Sequence, residues 1–443
     1  MKPVKNRFGR RLGSTAVLAF ALALILAACG SSGSGTDGNA SSGEQTQAPA
    51  AGSIRIGLLP PTTGNTAAFG KEMMNGWNLY WDQHHNEVDG YKVASIHLDY
   101  GGDPSAALTD VQKLVENDKV SMVVGALQGN VSLAIVGPLT KAKVPYIDPV
   151  AASDNMTQRQ ISPYFLRLAG STSSQLTQPQ GQWATDQGYK KVATLCSDYA
   201  FGYESCGGFV NTFTDGGGKV LKQLWSPLGT TDFSSYITQI VQAKPDVVFA
   251  QLSGADGVRF VKAWNSFGQK DKIPLLSGEA ILDQTSLNGL TAKDAEGLTS
   301  SGVWAGGLDD SATKDFVSLY QKKYGTPPSF YSASMYTAAG GIADAISKLK
   351  GDVSDGAALI DTLKKIDLGN TVMGPVKTDK YGNSVQNVYI RKVTVQNGKL
   401  VNQVIKTYPN VTQFWNYDVA EFLKHPVYSK TYQGNGVWPS PEK

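Results

Sequence analysis

The chain has 443 residues, with 40 Lys and Arg against 37 Asp and Glu, so its formal charge at neutral pH is +3. Five of the basic residues lie in the first eleven positions, and the remaining 35 basic and 37 acidic residues carry a charge of −2. This balance excludes a protein that holds nucleic acid on a strongly basic surface.

The N-terminal segment has the pattern of a secretory signal peptide. A basic start at 1–11 is followed by an almost wholly apolar run at 12–28, which is short for a membrane-spanning helix. The run ends in LAAC, which resembles the lipobox of bacterial lipoproteins, where the cysteine is lipidated and becomes the new N-terminus. The alternative is an ordinary signal peptide followed by a chance cysteine. We predict a lipoprotein signal peptide over 1–28 and lipidation of Cys29.

Residues 29–52 have the composition of a flexible tether, because they are rich in Gly, Ser, Thr, Ala and Gln and offer little for a core to bury. No other stretch of the sequence is long and apolar enough to span a bilayer. We therefore expect a folded domain in the periplasm or at the outer face of the cell membrane. It would contact the membrane through its lipid anchor alone.

Short apolar strands alternate with helical stretches along the rest of the chain. The first series of strands is SIRIGLLPP, KVASIHLDY, VSMVVGAL and VPYIDPV, and apolar residues at helical spacing predict a helix over 71–85. A second series, from about residue 189, is KKVATLCSD, KVLKQLWSP, PDVVFAQL and IPLLSG. Such alternation predicts parallel sheets covered by helices on both faces. About 390 residues are too many for one core, so we predict two doubly wound α/β lobes.

Local signals add detail to this outline. Asp103-Pro104 predicts a helix start, with an N-cap and a proline at the first helical position. The later helical segments DFVSLYQKKYG and SASMYTAAGGIADAISKL are expected to return to the first lobe. VYIRKVTVQNGKLVNQVIKTY predicts a terminal hairpin that turns at Asn397-Gly398.

The loops after the strands form the predicted ligand site, since in open parallel sheets ligands bind beyond the carboxyl ends of the strands. These loops are rich in Gly, Ser and Thr, whose backbone N–H and hydroxyl groups can approach a small ligand: PPTTGNTAAFG, GALQGN, DPVAASDN, SDYAFG, AQLSGAD and LLSGEAIL. On two lobes, these loops would face each other across a cleft.

Four segments carry a family resemblance through their order and spacing: IGLLPPTTGNTAAFGKEMMNGWNL, VVGALQGNVSLAIVGPLTKAKVPYIDPVAAS, DYAFGYESCGGF and VMGPVKTDKYGN. The sequence resembles the substrate-binding proteins of branched-chain amino-acid ABC importers, the Leu/Ile/Val-binding type. The resemblance implies a type I periplasmic-binding fold, in which two α/β lobes joined by a three-crossover hinge close on the ligand. The implied N-terminal lobe is 54–170 with 306–383, and the implied C-terminal lobe is 171–305 with 384–443.

The resemblance implies that two loops of the first lobe bind the α-carboxylate of an amino acid. Ala151, Ala152 and Ser153 occupy one of them and offer amide and hydroxyl groups. At the other loop the family usually has a serine, whereas this chain has Gly129 and Asn130. One hydroxyl contact is therefore missing, and backbone amides or Asn130 would compensate. The alternative role for Ser153 is that of a helix N-cap.

A second group of residues is implied to bind the rest of the ligand. Glu279, in the loop after IPLLSG, would bind the ammonium group, since a buried charge needs a partner of opposite sign. Phe69 and Phe201 match aromatic positions of the family, and Ser253 or a neighbour replaces a tyrosine found in some members. With Phe330 the two phenylalanines would form apolar walls. The alternatives are a solvated loop acid at Glu279 and packing at the lobe rim for the aromatic residues.

Cys196 and Cys206 are the cysteines that remain once Cys29 is lipidated, an even number in an oxidising compartment. They flank a short loop, and we expect a disulfide bond that closes it, with two free thiols as the alternative. A redox-active pair is disfavoured because the Cys-x-x-Cys spacing is absent.

An extracellular hydrolase is the rival class, and the histidines do not support it. His84 and His85 are adjacent and so point to different faces of a helix, while His97 lies in a predicted strand and His425 near the end of the chain. No Walker A motif is present for a phosphate-bearing cofactor. We predict that the protein is not an enzyme and that it has no metal site and no cofactor.

The sequence thus predicts an extracytoplasmic solute-binding protein whose closed form docks on the permease subunits of an ABC importer. The expected ligand is an amino acid with an apolar side chain. Amides, urea-like compounds and aromatic carboxylates are alternatives, because relatives with this fold bind them. A lipoprotein that senses its ligand for a membrane receptor is a further alternative. We expect a monomer.

Overall fold

The computed structural model describes residues 52–432 of the chain. The predicted signal peptide 1–28, the lipidation site Cys29 and all of the tether except Gly52 lie outside the described residues. Within 52–432, none of the helices combines the length and the apolar composition that crossing a bilayer requires.

The first sheet of the described chain has six strands in the order β2-β3-β1-β4-β5-β6. All neighbouring pairs are parallel except β2 with β3. The strands are β1 Ile54–Leu58, β2 Glu87–Val88, β3 Tyr91–His97, β4 Met122–Val124, β5 Tyr146–Ile147 and β6 Phe165–Leu166. This is the parallel sheet that the first series of apolar strands predicts.

The second sheet has nine strands, with β12-β13-β14-β11-β10-β9-β7-β8 in sequence across it and β15 also paired with β14. The strands from β8 to β11 are parallel, and β14 is antiparallel to β11, β13 and β15. The strands are β7 Lys191–Ser197, β8 Lys219–Ser226, β9 Val247–Gln251, β10 Leu275–Ser277, β11 Thr299–Gly302, β12 Leu368–Thr371, β13 Gly374–Thr378, β14 Ser384–Gln396 and β15 Lys399–Val411. The sheet is therefore mixed, because the predicted terminal hairpin joins it as β14 and β15.

Helices cover both sheets, and several begin at the residues that predict a start. Asp103 accepts hydrogen bonds from the backbone N–H groups of Ser105 and Ala106, and Pro104 is the first residue of its helix. The helices are α1 Ala67–Gln83, α2 Pro104–Gln112 with a π-helical turn at Lys113–Asn117, α3 Gly129–Ala142, α4 Asn155–Gln158, α5 Ser173–Asp186, α6 Ala200–Asp215, α7 Ser234–Ala243, α8 Ala255–Ser266, α9 Gln284–Leu287, α10 Ala292–Ala295, α11 Ser311–Tyr324, α12 Phe330–Lys348, α13 Gly356–Leu363 and α14 Val419–Lys424.

Helix α12 returns to the first lobe and packs against α1 across a glycine. A Cβ on Gly76 would lie 2.0 Å from the Ser332 carbonyl oxygen, so the two helices approach to backbone contact there. Buried residues of both helices share one apolar core with β1, including Trp77 and Met335. The approach of α12 to α1 brings the start of α12 beside the loops of the first sheet.

Strands β12 and β13 connect the two lobes. They lie within 306–383, the segment predicted for the first lobe, yet β13 hydrogen-bonds to β14 of the second sheet. Leu368 of β12 and Val376 of β13 pack into the apolar core of the first lobe. Because backbone pairing and side-chain packing point to different lobes, this segment belongs to both, and the predicted lobe boundaries stay a prediction.

Candidate functional site

A cavity lies where loops and helix starts of the two lobes meet. Its lining comes from residues that follow β4, β5, β6, β7, β9 and β10, together with the starts of α1 and α12. The carboxyl ends of parallel strands form the usual ligand crevice of such sheets. The lining residues are Phe69, Leu127, Val150, Ala152, Ser171, Leu176, Tyr199, Phe201, Ser253, Glu279, Ala280, Phe330 and Tyr331.

Aromatic rings make up much of this lining. Phe69 stacks on Tyr331 with ring centroids 4.4 Å apart and an angle of 16° between the planes. Phe330 contacts Tyr331 edge to face at 5.3 Å, and Tyr199 lies 6.0 Å from Phe201. These rings come from the N-terminal ends of α1, α6 and α12 or from the residue just before α6. The first turns of three helices therefore border the cavity, and helix N-termini favour negative charge nearby.

Hydroxyl groups supply most of the polar lining. The Tyr199 hydroxyl and the Ser253 hydroxyl are hydrogen-bonded at 2.7 Å, and the Ser253 backbone N–H donates to Ser197 Oγ at 3.2 Å. The hydroxyls of Ser171 and Tyr331 have no hydrogen-bond partner among the described residues. These two groups can therefore donate hydrogen bonds to a ligand in the cavity.

Glu279 lines the cavity as one half of a buried ion pair. Arg391 Nη1 donates to Glu279 Oε1 at 2.7 Å, and the Val303 backbone N–H donates to Oε2 at 3.2 Å. Burial raises the pKa of Glu279 to about 7, and the charge of Arg391 acts in the opposite direction. Glu279 is 2 % exposed, so the alternative that it is a solvated loop acid is wrong.

Four of the nine predicted ligand contacts are absent from the lining. Ser153 is fully buried, and its hydroxyl donates to Glu204 Oε1 at 3.3 Å. The Ala151 backbone N–H donates to Asp148 Oδ1 at 2.7 Å, so this amide is already occupied. Gly129 and Asn130 form the start of α3, whose backbone packs on Ser153, since a Cβ on Gly129 would lie 3.1 Å from Ser153 Cβ. The other five predicted contacts, Phe69, Ala152, Phe201, Ser253 and Glu279, line the cavity.

Three residues important to the site were missed in the sequence. Tyr199 lies in the highlighted loop SDYAFG, and Tyr331 follows Phe330, so proximity to predicted residues was the available signal. Arg391 lies in the strand VYIRKVTV, where a charge among apolar residues signals a buried partner. That partner, Glu279, lies 112 residues earlier in the chain, and no local pattern links the two.

Glu204 of α6 connects the second lobe to a loop of the first lobe. Its Oε2 atom accepts hydrogen bonds from the Asp154 backbone N–H at 3.1 Å and from Ser173 Oγ at 2.9 Å. Burial, and after it the charge of Asp154, raises the pKa of Glu204 well above its ordinary value. The hydrogen bonds from Asp154 and Ser173, and then the charge of Arg167, offset only part of this increase in pKa. A buried carboxyl in this setting retains its proton more readily than one in water.

Cys196 and Cys206 are joined by a disulfide bond, with their Cα atoms 6.4 Å apart. Cys196 lies near the end of β7 and Cys206 lies in α6, so the bond spans the turn that carries Tyr199 and Phe201 into the cavity lining. In the described part of the chain, no group of three or more His, Cys, Asp or Glu residues is arranged to hold a metal ion.

The architecture and the cavity define a class, the two-lobed α/β binding proteins that enclose a ligand at the carboxyl ends of their sheets. Residues 53–399 match the family of periplasmic binding proteins, and the chain belongs to this family. The predicted type I periplasmic-binding fold and the predicted resemblance to the Leu/Ile/Val-binding type are thereby confirmed. The chain is an extracytoplasmic solute-binding protein of the kind that works with ABC transporters.

Two relatives match nearly their whole length. The Leu/Ile/Val-binding protein homolog 6 of Brucella melitensis is 29% identical over 361 residues, which cover 80% of this chain and 91% of the relative. A solute-binding protein of an ABC transporter from Rhodopseudomonas palustris BisB5, solved in complex with 3,4-dihydroxybenzoic acid, is 32% identical with a TM-score of 0.77. The match covers 82% of this chain and 98% of that one.

A third solved structure supports only the assignment of the fold. The branched-chain amino acid substrate-binding protein LivJ of Streptococcus pneumoniae, solved in complex with isoleucine, is 24% identical with a TM-score of 0.70. That match covers 80% of this chain and 99% of LivJ.

Proposed function

We propose that this protein is a lipid-anchored solute-binding protein that captures a small aromatic carboxylate and delivers it to an ABC importer. The observation that carries the choice of ligand is the lining of the cavity, in which five aromatic side chains surround a few hydroxyl groups. A flat aromatic ring fits between such walls in stacked or edge-to-face contact. The ligand named in the structure of the Rhodopseudomonas palustris relative supports the same class.

The charges of the site support a carboxylate without an ammonium group. An amino acid brings a positive charge that needs an anionic partner once it leaves water. Glu279 is the sole acid among the described lining residues, and Arg391 already pairs with it. If Glu279 is ionised the pair is neutral, and if it is protonated only the positive charge of Arg391 remains. In neither case does the ion pair carry net negative charge.

The carboxylate of such a ligand would bind at donors that the cavity already presents. The hydroxyls of Ser171 and Tyr331 are without partners among the described residues, and the N-terminal ends of α1, α6 and α12 surround the space. Hydrogen bonds to an ionised acceptor are about twice as strong as those between neutral groups. The polar groups thus suit one negative charge at one end of an apolar ligand.

An amino acid with an apolar side chain is the second candidate. The observation that favours it is the position of Glu279 in the cavity lining, as the resemblance implies for an ammonium-binding residue. For this role the ligand would have to compete with Arg391 for the same carboxylate.

Native mass spectrometry of the purified full chain, followed by calorimetry at pH 7.5, tests the choice of ligand. We expect 4-hydroxybenzoate to bind at least about 100-fold more tightly than leucine, because the unpaired ammonium group is penalised on burial. Benzamide, which has the ring but no charge, is the control for stacking alone. A bound amino-acid mass, or tighter binding of leucine than of 4-hydroxybenzoate, would refute the aromatic carboxylate.

The lipid anchor at Cys29 needs its own test. Mass spectrometry of the N-terminal peptide is expected to show a diacylglyceryl adduct on Cys29, and Cys29→Ala is expected to release the protein from the membrane fraction. A wild-type peptide without lipid would contradict this part of the proposal.

A further inference from the structure

We infer that Arg391, which lies outside the cavity lining, sets the charge of the ligand that this protein accepts. It does so because it neutralises Glu279, whose position in the lining is here called the floor of the cavity. The inference rests on the proposed function and deepens it, since it assigns the choice between ammonium-bearing and ammonium-free ligands to one ion pair.

The contacts of Arg391 fix its guanidinium group in place. Nη1 donates to Glu279 Oε1 at 2.7 Å and to the Trp304 carbonyl oxygen at 2.6 Å. Nε donates to Ser300 Oγ at 3.2 Å, and Nη2 donates to the Ser301 carbonyl oxygen at 3.4 Å. Arg391 is 1 % exposed. Because β11 and the residues after it hold the guanidinium from several sides, it is positioned to hold Glu279 rather than to reach into the cavity.

A glycine on β11 makes room for the pair. A Cβ on Gly302 would lie 2.3 Å from Glu279 Oε1 and 2.6 Å from Arg391 Cζ. Any side chain at this position would therefore displace one partner of the ion pair. The close approach of backbone, carboxylate and guanidinium indicates a built arrangement rather than a chance contact between two flexible side chains.

The nearby Asp283 cannot substitute for Glu279 as an anionic partner. Asp283 Oδ1 accepts from the Thr285 backbone N–H at 2.9 Å, and Oδ2 accepts from the Phe330 backbone N–H at 3.1 Å. Asp283 does not belong to the cavity lining. Asp283 keeps the same contacts whichever partner of the ion pair is substituted, so the difference in charge between variants is decided by Glu279 and Arg391.

Four forms of the purified full chain test this inference: wild type, Glu279→Gln, Arg391→Met and the double variant. With Glu279 ionised, the ion pair carries charges of 0, +1, −1 and 0 in this series, and Asp283 contributes equally to all four forms. The probes are 4-hydroxybenzoate, benzamide and benzylamine, which share a ring and carry a negative, no and a positive charge at pH 7.5. Calorimetry gives the dissociation constant of each pair.

We expect the two single variants to shift the preference for ligand charge in opposite directions. Glu279→Gln should bind 4-hydroxybenzoate about tenfold more tightly, and Arg391→Met should bind it about tenfold more weakly while gaining measurable affinity for benzylamine. The double variant should match the wild type, and benzamide should change by less than about threefold throughout. Lys392→Met removes an exposed charge from the same strand and should leave all three constants unchanged.

Arg391→Met leaves a buried carboxylate without its partner and is the variant that can fail to fold. If Arg391→Met does not fold, the inference is tested by the dissociation constants of 4-hydroxybenzoate for Glu279→Gln and for the double variant. A ratio of anion to cation affinity that is the same in every folded variant would overturn the inference. Tight binding of leucine or phenylalanine by the wild type would overturn it as well.

The proposed function and this inference fail in different ways. If the wild type binds benzamide but not 4-hydroxybenzoate, the aromatic carboxylate is wrong. The inference then still holds if Glu279→Gln gains affinity for 4-hydroxybenzoate and Arg391→Met gains affinity for benzylamine. If the wild type binds 4-hydroxybenzoate and the variants keep its charge preference, the proposed function stands and the inference is wrong.

Discussion

The backbone carbonyl of Asn65 occupies the space where a side chain on Gly254 would have to lie. A Cβ on Gly254 would be 2.4 Å from this oxygen, and Gly254 has the left-handed φ of +59°. Asn65 precedes α1 in the first lobe, and Gly254 follows β9 in the second lobe. The Ala255 backbone N–H donates to the Asn65 carbonyl and Asn65 Nδ2 donates to the Ser253 carbonyl, both at 3.4 Å. The two lobes thus meet beside the cavity at a glycine.

Gly254→Ala is expected to weaken ligand binding by roughly tenfold or more, because the added methyl group pushes the lobes apart and depopulates the closed form. The dissociation rate of 4-hydroxybenzoate, measured by stopped-flow fluorescence, should rise accordingly. Gly268→Ala is the control for a methyl group at positive φ, since Gly268 has a φ of +64° and nothing within 4 Å of its added Cβ, whereas the ψ of −140° at Gly254 adds strain of its own. An equal loss of affinity in the two variants would show that backbone strain, and not the contact between lobes, is responsible for the loss.

Phe69→Leu is expected to weaken binding of 4-hydroxybenzoate by about 3- to 10-fold, since it keeps an apolar side chain but removes the ring that stacks on Tyr331. Binding of an aliphatic ligand such as leucine should not fall. Calorimetry with both ligands gives the comparison, and Phe267→Leu, at an exposed position, is the control. The same loss for aromatic and aliphatic ligands would indicate that Phe69 acts only through packing at the rim.

The fold could be predicted largely from local patterns. The apolar strands, the helix start at Asp103-Pro104 and the turn at Asn397-Gly398, where both residues have positive φ, depend on residues adjacent in the chain. Strand β13 could not be placed in this way. Its pairing with β14 and its packing into the first lobe depend on two surfaces that the fold brings together.

The site was only half accessible from the sequence. Position after a strand was enough to place Ser253 and Glu279 in the cavity lining. It was not enough for Ser153, whose loop also follows a strand but whose hydroxyl is directed to Glu204 on another lobe. The orientation of a side chain depends on long-range partners, and Arg391 was missed for the same reason.

Loss of the disulfide bond is expected to lower the free energy of unfolding by about 2–3 kcal/mol, as for a closed loop of this size. Cys196 and Cys206 are separated by 10 positions, and the double Cys→Ser variant should unfold at lower urea concentration than the wild type. Affinity for 4-hydroxybenzoate should also fall, because Tyr199 and Phe201 lie inside the closed loop. Reductant should reproduce both effects in the wild type and leave the variant unchanged, and an unaffected wild type would contradict the prediction.

Glu204 is expected to make the protein less stable as the pH rises. Its pKa in the folded state is raised above the ordinary value of 4.5 by burial and by Asp154, so the folded state binds the proton more tightly than the unfolded chain does. The stabilisation from this proton is complete below pH 4.5 and is lost as the pH rises through the raised pKa. Above it, folding must bury a carboxylate beside a second acid.

Glu204→Gln keeps a group of the same shape that never ionises, and it is expected to flatten this dependence. Urea unfolding at pH 5, 6, 7 and 8 should show that the variant gains stability relative to the wild type as the pH increases. Part of the slope should remain, because burial also raises the pKa of Glu279, to about 7. Glu296→Gln, at an exposed acid, should follow the wild type. If Glu204→Gln and the wild type lost stability in parallel over this range, Glu204 would be ionised in both states, and its link to Asp154 would depend on the charge rather than on the proton.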